Sequence, residues 1–303
     1  MSAFAAALLP VLALIALGYS LKRIDFLPTG AWAGLEKLTY YVLFPALIVH
    51  TLGEQDLTGS PWRSILAVVV CAVVIAAAVL IVWQRIRPAN GPTFTSIFQG
   101  GVRFNTYIAL AISQAYFGSD GLTVGAVTAG FMIVLVNLLC VSAFALWGDA
   151  AYSRGTFVRE VFGNPLILSC AIGWALSLSG LGLPGATNDI LEIVGRAALP
   201  LGLLAVGAAL RPEAIRGHLP AVLSASLVQF GLKPATAILL TSYLGIAGVP
   251  AGVLTVFFMV PTAPSAYILA RQLGGDIDTM SSIITVQTML AFAVMPTIAY
   301  LAL

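Results

Sequence analysis

Charge is what this chain has least of. Only 9% of its 303 residues are Asp, Glu, Lys or Arg, while 60% are hydrophobic, and mean hydropathy is +1.01. Soluble domains carry about 25% charged residues, so a chain this poor in charge belongs in a bilayer. Histidine is reduced to two residues and cysteine to three. Cys71, Cys140 and Cys170 all lie within apolar runs, with no CxxC spacing and no Cys/His cluster. That excludes a recognisable metal site, and the cysteines read as small core residues. A net charge of +2 offers no basic surface for nucleic acid. No phosphate-binding glycine loop, aspartyl-phosphate loop, HExxH or GxSxG is present, which speaks against a nucleotide-driven pump, a cofactor enzyme or a hydrolase.

What the chain does have is apolar length. A helix that spans the hydrocarbon core needs roughly 17–25 apolar residues. Spans of that kind are expected at about 3–21, 31–52, 62–83, 93–117, 121–147, 161–180, 187–210, 216–243, 249–271 and 279–303. The first has no basic residues before it and Lys22 and Arg23 after it, the flank order of a retained helix rather than a cleaved signal peptide. Met1-Ser2 is not a myristoylation start. The connections are short and leave no room for a soluble domain. The longest polar gap, Gly148 to Glu160, divides the chain into halves of about 1–147 and 161–303.

Basic residues set the expected orientation. Lys22, Arg23, Arg85, Arg87, Arg154, Arg159, Arg211, Arg216 and Arg271 follow odd-numbered spans, whereas only Arg63 lies near an even-numbered loop. Loops rich in Lys and Arg stay in the cytoplasm, so both termini are expected outside, in the inner (plasma) membrane. The halves also repeat. Pro10 matches Pro165 and Gly18 matches Gly173 at an offset of 155 (165 − 10; 173 − 18). Pro45 matches Pro200 at the same offset (200 − 45), and Tyr107 matches Tyr267 at 160 (267 − 107). Five spans per half would insert the second half upside down, the inverted repeat of secondary transporters.

Two spans are interrupted near bilayer depth. One break is expected around Gly100-Gly101-Val102-Arg103-Phe104-Asn105-Thr106-Tyr107, the other at Pro261-Thr262-Ala263-Pro264-Ser265-Ala266-Tyr267. Lipid offers no partner to freed backbone groups, so a break survives only where protein or a water-filled cavity covers it. Paired breaks in corresponding positions point to a binding site.

The motifs resemble those of the auxin efflux carrier family, in the bacterial branch often described as malonate or malate transporters. The resemblance covers essentially the whole chain. It rests on Leu17-Gly18-Tyr19-Ser20-Leu21-Lys22-Arg23, Glu36-Lys37-Leu38-Thr39-Tyr40-Tyr41, Phe44-Pro45-Ala46-Leu47, Asn164-Pro165, Lys233-Pro234, both breaks, Gln287-Thr288 and Met295-Pro296. It implies an all-α membrane protein of ten helices in two inverted five-helix repeats, with helices 4 and 9 broken and crossing. It implies a scaffold of helices 1, 2, 6 and 7, usually dimeric, and a mobile elevator-like part made of helices 3–5 and 8–10. The chain departs from the plant members in having no proline in span 4.

Chemistry is expected from few residues. Arg103 and Asn105 lie midway through span 4, and a mid-bilayer arginine usually faces a cavity or the bundle. Lys233, deep in span 8, reads equally as a ligand or as a donor to a carbonyl of span 4 or 9. Pro261 and Pro264 free carbonyls in span 9; Ser265 is expected to cap the following half-helix, with Thr262, Pro264 and Tyr267 around the gap and Tyr107 opposite. Gly100 and Gly101 mark the first crossover segment. Glu36 and His50 are the candidate proton sites, although His50 reads first as an interface residue. Glu192 and Arg196 read as an ion pair four apart. Both deepest charges are cationic, and half-helix N-termini add positive potential, which suits a carboxylate. The expected function is alternating-access transport of small mono- or dicarboxylates, or auxin-like acids, with proton or sodium coupling left open. The rival is a sodium-coupled symporter of the bile-acid type, with a passive channel or a membrane enzyme further off.

Overall fold

The computed structural model describes residues 3–54, 61–148, 163–215 and 217–303. Arg154, Arg159 and Arg216, three of the residues behind the expected orientation, lie outside the described residues. Every regular element among the described residues is helical. In order these are α1 (Ala3–Arg23), α2 (Thr29–Leu38), α3 (Phe44–Gly53), α4 (Trp62–Ile86), α5 (Gly91–Val102) and α6 (Thr106–Trp147). They continue as α7 (Pro165–Ser179), α8 (Ala186–Arg196), α9 (Ala198–Ala208), α10 (Leu219–Leu227), α11 (Lys233–Tyr243), α12 (Gly248–Met259), α13 (Ser265–Leu273) and α14 (Ile277–Ala302). Among the described residues, six helical stretches are long and apolar enough to cross a membrane: Ala3–Arg23, Trp62–Ile86, Gly91–Trp147, Ala186–Ala208, Leu219–Tyr243 and Ile277–Ala302. Pro165–Ser179 and Gly248–Met259 are apolar but shorter.

Local chemistry explains the element boundaries. Asn90, Asn105, Asn164 and Asp276 sit at the starts of α5, α6, α7 and α14, and each side chain accepts from a backbone N–H of the first turn. Gly180 and Gly274 close α7 and α13 in the left-handed conformation. Two prolines act differently. Pro45 and Pro234 lack the N–H that the preceding turn would use, and the chain absorbs this by widening into π-turns at Thr39–Leu43 and Val228–Leu232. The N–H groups of Phe44 and Lys233 then bond five residues back, to Thr39 and Val228. At Gly118 the backbone of α6 takes φ 67° and ψ −150°, values open to glycine alone, so α6 is two helical stretches joined at a kink.

Packing is close because small residues stand where helices cross. α1 lies along α9: a side chain at Gly18 would collide with the Leu204 carbonyl, and one at Gly207 with the Ile15 carbonyl. α7 lies along α3, where Gly173 faces Leu52. Without a hydrophobic driving force between lipid-exposed helices, such backbone approach supplies dispersion contact that larger residues would forbid. The rest of the core is built by α4, α5, α6 and α10 to α14, and holds the two broken helices.

Candidate functional site

Four helix ends gather at one buried point. α5 stops at Val102 and α6 starts at Thr106; α12 stops at Met259 and α13 starts at Ser265. The Asn105 N–H donates to the Pro261 carbonyl across the two gaps, at 2.8 Å. Phe104, Asn105 and Pro261 to Pro264 are all buried. The first break falls at Arg103 to Asn105, a few residues beyond Gly100-Gly101. Those glycines are the last buried turn of α5, pressed against Ile283 and Ala225 and against Leu80 and Val228.

Broken helices expose carbonyls at their C-terminal ends, and polar side chains from other helices cover them. Lys233 Nζ donates to Val102 O (3.1 Å), Arg103 O (3.2 Å) and Gln229 Oε1 (2.9 Å). Gln229 Nε2 donates to Val260 O at the end of α12. One helical turn, Gln229 to Lys233, thus serves the C-termini of both broken helices. Gln287 of α14 joins them again: its amide N donates to Gly100 O (2.9 Å) and its oxygen accepts from Thr262 N (3.0 Å). Gln99 Nε2 reaches Ala266 O at 3.4 Å, and Thr262 Oγ1 reaches Gln99 O at 3.5 Å. Lys233, Gln99, Gln229 and Gln287 are completely buried. A lysine at a helix C-terminus also meets the negative end of the dipole.

The N-terminal ends are covered less fully. Asn105 caps α6 by accepting from Ile108 N (3.2 Å), while its Nδ2 is buried without a hydrogen-bond partner. An enclosed amide donor left unpaired costs about 1–3 kcal/mol. Ser265 does not cap α13 as expected. Pro264, already in helical conformation, takes the N-cap position, and the first turn closes on the Ala263 and Pro264 carbonyls. α13 therefore presents its positive end with no side-chain cap.

Other expected residues divide. Half-buried Arg103 points its guanidinium at Gln99 Oε1 (3.4 Å) and Asn137 Oδ1 (3.2 Å), tying the end of α5 to the far half of α6. Tyr107 packs edge-on against Phe44 (ring centres 4.5 Å apart), beside Gly202 of α9 and within electrostatic reach of Glu36 and Tyr40. Tyr267 lies under the Arg211 guanidinium at 5.0 Å. Glu192 and Arg196 form their ion pair at 2.5 Å on an exposed face. His50 makes no contact with the crossing residues and lines a cavity with Glu54. Asp276 is the cap of α14, where Thr279 and Thr93 hydroxyls donate to it. Gln99, Gln229 and Asn137 were not singled out from sequence. The available signal was spacing: Gln99 precedes Arg103, and Gln229 precedes Lys233, by one helical turn. Among the described residues, no group of three or more His, Cys, Asp or Glu could hold a metal ion.

Residues 3–112 and 153–299 match the pattern of the membrane transport protein family. The chain belongs to that family. It is the auxin-efflux-carrier-like group that the motifs resemble. This membrane transport protein is 26% identical over 298 residues, 95% of both chains, to an uncharacterized transporter of Methanothermobacter thermautotrophicus. It is 21% identical over 292 residues, 92% of both, to an uncharacterized transporter of Methanocaldococcus jannaschii. In this membrane transport protein the matched segments include both breaks and the side chains that bridge them.

Proposed function

We propose that this membrane transport protein is a secondary transporter of small organic anions, mono- or dicarboxylates, which it binds at the crossing of the broken helices. The observation that carries this reading is the unpartnered Asn105 Nδ2, buried where four helix ends meet. The two negative C-terminal ends are already covered by Lys233 and Gln229, whereas the positive N-terminal ends of α6 and α13 keep donors to offer. An anion is the ligand that this residual sign favours. Arg103, with five donors, has some to spare beyond those spent on Gln99 and Asn137. Lys233 acts from behind, because all three of its protons are placed on protein acceptors.

The same reading arranges the chain as ten spans in two inverted repeats. Five of those spans are compound: α2 with α3, α5 with the first stretch of α6, α8 with α9, α10 with α11, and α12 with α13. The packing supports it: Gly18 sits where α1 meets α9 and Gly173 where α7 meets α3, so the 155-residue match between them is also a match of contacts. α1, α2, α3, α7, α8 and α9 then form the scaffold, proposed to pair as a homodimer, and the remaining helices move past it to expose the crossing to either side. Loops after odd-numbered spans lie in the cytoplasm.

The test is counterflow in proteoliposomes loaded with a small carboxylate. Saturable counterflow is expected, without stimulation by sodium, because the carbonyls a sodium ion would use at the end of α5 are occupied by Lys233. Asn105→Ala is expected to lower the rate at least about tenfold, about 1.4 kcal/mol at the site. Sodium-dependent uptake would favour the bile-acid type of symporter instead, and unsaturable flux a channel.

A further inference from the structure

A half-open cavity of about 570 Å³, with none of the crossing residues in its lining, lies between α1, α3, α8 and α9 on one side and α6, on both sides of its Gly118 kink, on the other. That is the size of a small-molecule site. Its wall is mostly apolar, with Leu14, Leu47, Leu122 and Leu203 among the lining residues. Polar groups line it as well, among them His50, Thr51, Glu54, Gln114, Glu192 and Arg196. Ala111 and Gln114 belong to the half-helix that Asn105 caps, so the cavity runs along that helix. The nearer of them is six residues from the cap, about 9 Å at 1.5 Å per residue.

His50 is the unused group in this wall. Its Nδ1 is buried without a hydrogen-bond partner, and the Glu54 carboxylate stands 4.0 Å away, too far for a hydrogen bond. The charges that face it from the described elements are few. Glu54 comes from its own helix, and Glu192 and Arg196 come from α8, where they cancel as an ion pair at 2.5 Å. α1, α6 and α9 contribute no charged residue to the lining. α7, which also packs on α3, carries only the buried thiol of Cys170 as a titratable group, and that thiol faces Gly130. With a neutral imidazole the described lining residues therefore carry one uncompensated negative charge, that of Glu54. With an imidazolium they are neutral.

We infer that this cavity is a second, waiting site for the transported carboxylate, which it admits together with one proton carried by His50. This rests on the organic-anion reading of the crossing. The proton bound at the imidazole cancels Glu54 and gives the carboxylate an N–H donor, with the Gln114 amide and the Thr51 hydroxyl as neutral donors beside it. Imidazole is the side chain whose charge changes between about pH 5 and 8, so anion binding becomes a proton-linked event.

The experiment measures equilibrium binding of lactate and oxalate, both ionised throughout the range, to the purified full chain at about pH 5.5 and about pH 8. Proton uptake on binding is followed with a pH indicator in weak buffer. The wild type should bind at least one of the two about tenfold more tightly at the lower pH and take up protons, the scale of one unit charge at close range. His50→Gln should bind with little pH dependence and no proton uptake. Glu54→Gln should gain affinity at the higher pH, an effect that misfolding of the His50 variant could not imitate. Unchanged pH dependence and proton uptake in His50→Gln, or no gain in Glu54→Gln, would overturn the assignment while leaving the organic-anion reading standing. Absence of binding by either acid at both pH values would overturn both.

Discussion

At the scale of single residues, the contrast between Lys233 and Asn105 defines the crossing. Both are fully buried. Every proton of Lys233 has an acceptor, whereas Asn105 keeps an amide proton pair without one. Sequence alone left Lys233 divided between ligand and structural contact, because depth in an apolar run reports the cost of a charge and not the partner that offsets it. The geometry gives it the role of a C-terminal clamp. Lys233→Met should therefore strip donors from the Val102 and Arg103 carbonyls and from Gln229, at about 1–3 kcal/mol for each group left unpaired. A fall in the melting temperature of purified protein larger than any loss of carboxylate affinity is the expected result. A variant of unchanged stability that no longer binds would move Lys233 into the ligand shell. Arg103→Lys should be poorly tolerated, since a single ammonium cannot reproduce the fork between Gln99 and Asn137.

At the scale of elements, the legible part of the sequence was the part governed by local rules. Apolar length placed the long apolar helices, and the prolines at 261 and 264 placed the second break. The first break falls within the segment expected from sequence, at Arg103 to Asn105; Gly100-Gly101, expected to mark it, belong to the last turn of α5, because a glycine pair looks like a helix breaker until the neighbours that need its lack of side chains are known. Ser265 was read as a cap for a similar reason: whether Pro264 enters the helix depends on tertiary placement, not on composition. The amides Gln99 and Gln229 were overlooked because a neutral side chain in an apolar run gives little periodic signal. Two element-scale tests follow. Gly18→Leu would drive a side chain into the Leu204 carbonyl and part α1 from α9, so a sharp loss of folded yield is expected on detergent extraction, with Gly30→Leu, where nothing lies near, as the neutral comparison. The cap of α14 carries a pH signature. Burial alone would raise the Asp276 carboxyl, but the Thr279 hydroxyl and N–H and the Thr93 hydroxyl, with His218 nearby, hold it below the usual carboxylate range. Because the folded form titrates lower than the unfolded one, this contribution is present above about pH 4 and is lost as pH falls through the depressed value. Melting curves taken downward from about pH 6 should show a loss that Asp276→Asn diminishes; an identical acid profile in the variant would remove Asp276 from the account.

At the scale of the whole molecule, the chain reads as one transport machine: a tightly crossed set of helices around α1, α3, α7 and α9, and a second set carrying two broken helices held together by buried amides and one lysine. Its orientation can be checked in a chain cleared of its native cysteines. A cysteine at Gly245 should react with an impermeant thiol reagent from outside, and one at Ala89 only after permeabilisation; the reverse pattern would turn the molecule over. The central claim is that Asn105 both starts α6 and holds the substrate carboxylate, and one substitution separates the two roles. Asn105→Asp keeps an oxygen that can accept from Ile108 N, because aspartate caps helices as well as asparagine does. It replaces the unpartnered donor with a second oxygen and adds a negative charge. Equilibrium binding of a small carboxylate to purified Asn105→Asp, measured beside its melting temperature, is the most direct test. The account predicts a protein that melts close to the wild type and has lost affinity at least about a hundredfold, by removal of one buried donor and introduction of like charge. Binding at wild-type strength by a well-folded Asn105→Asp protein would contradict it.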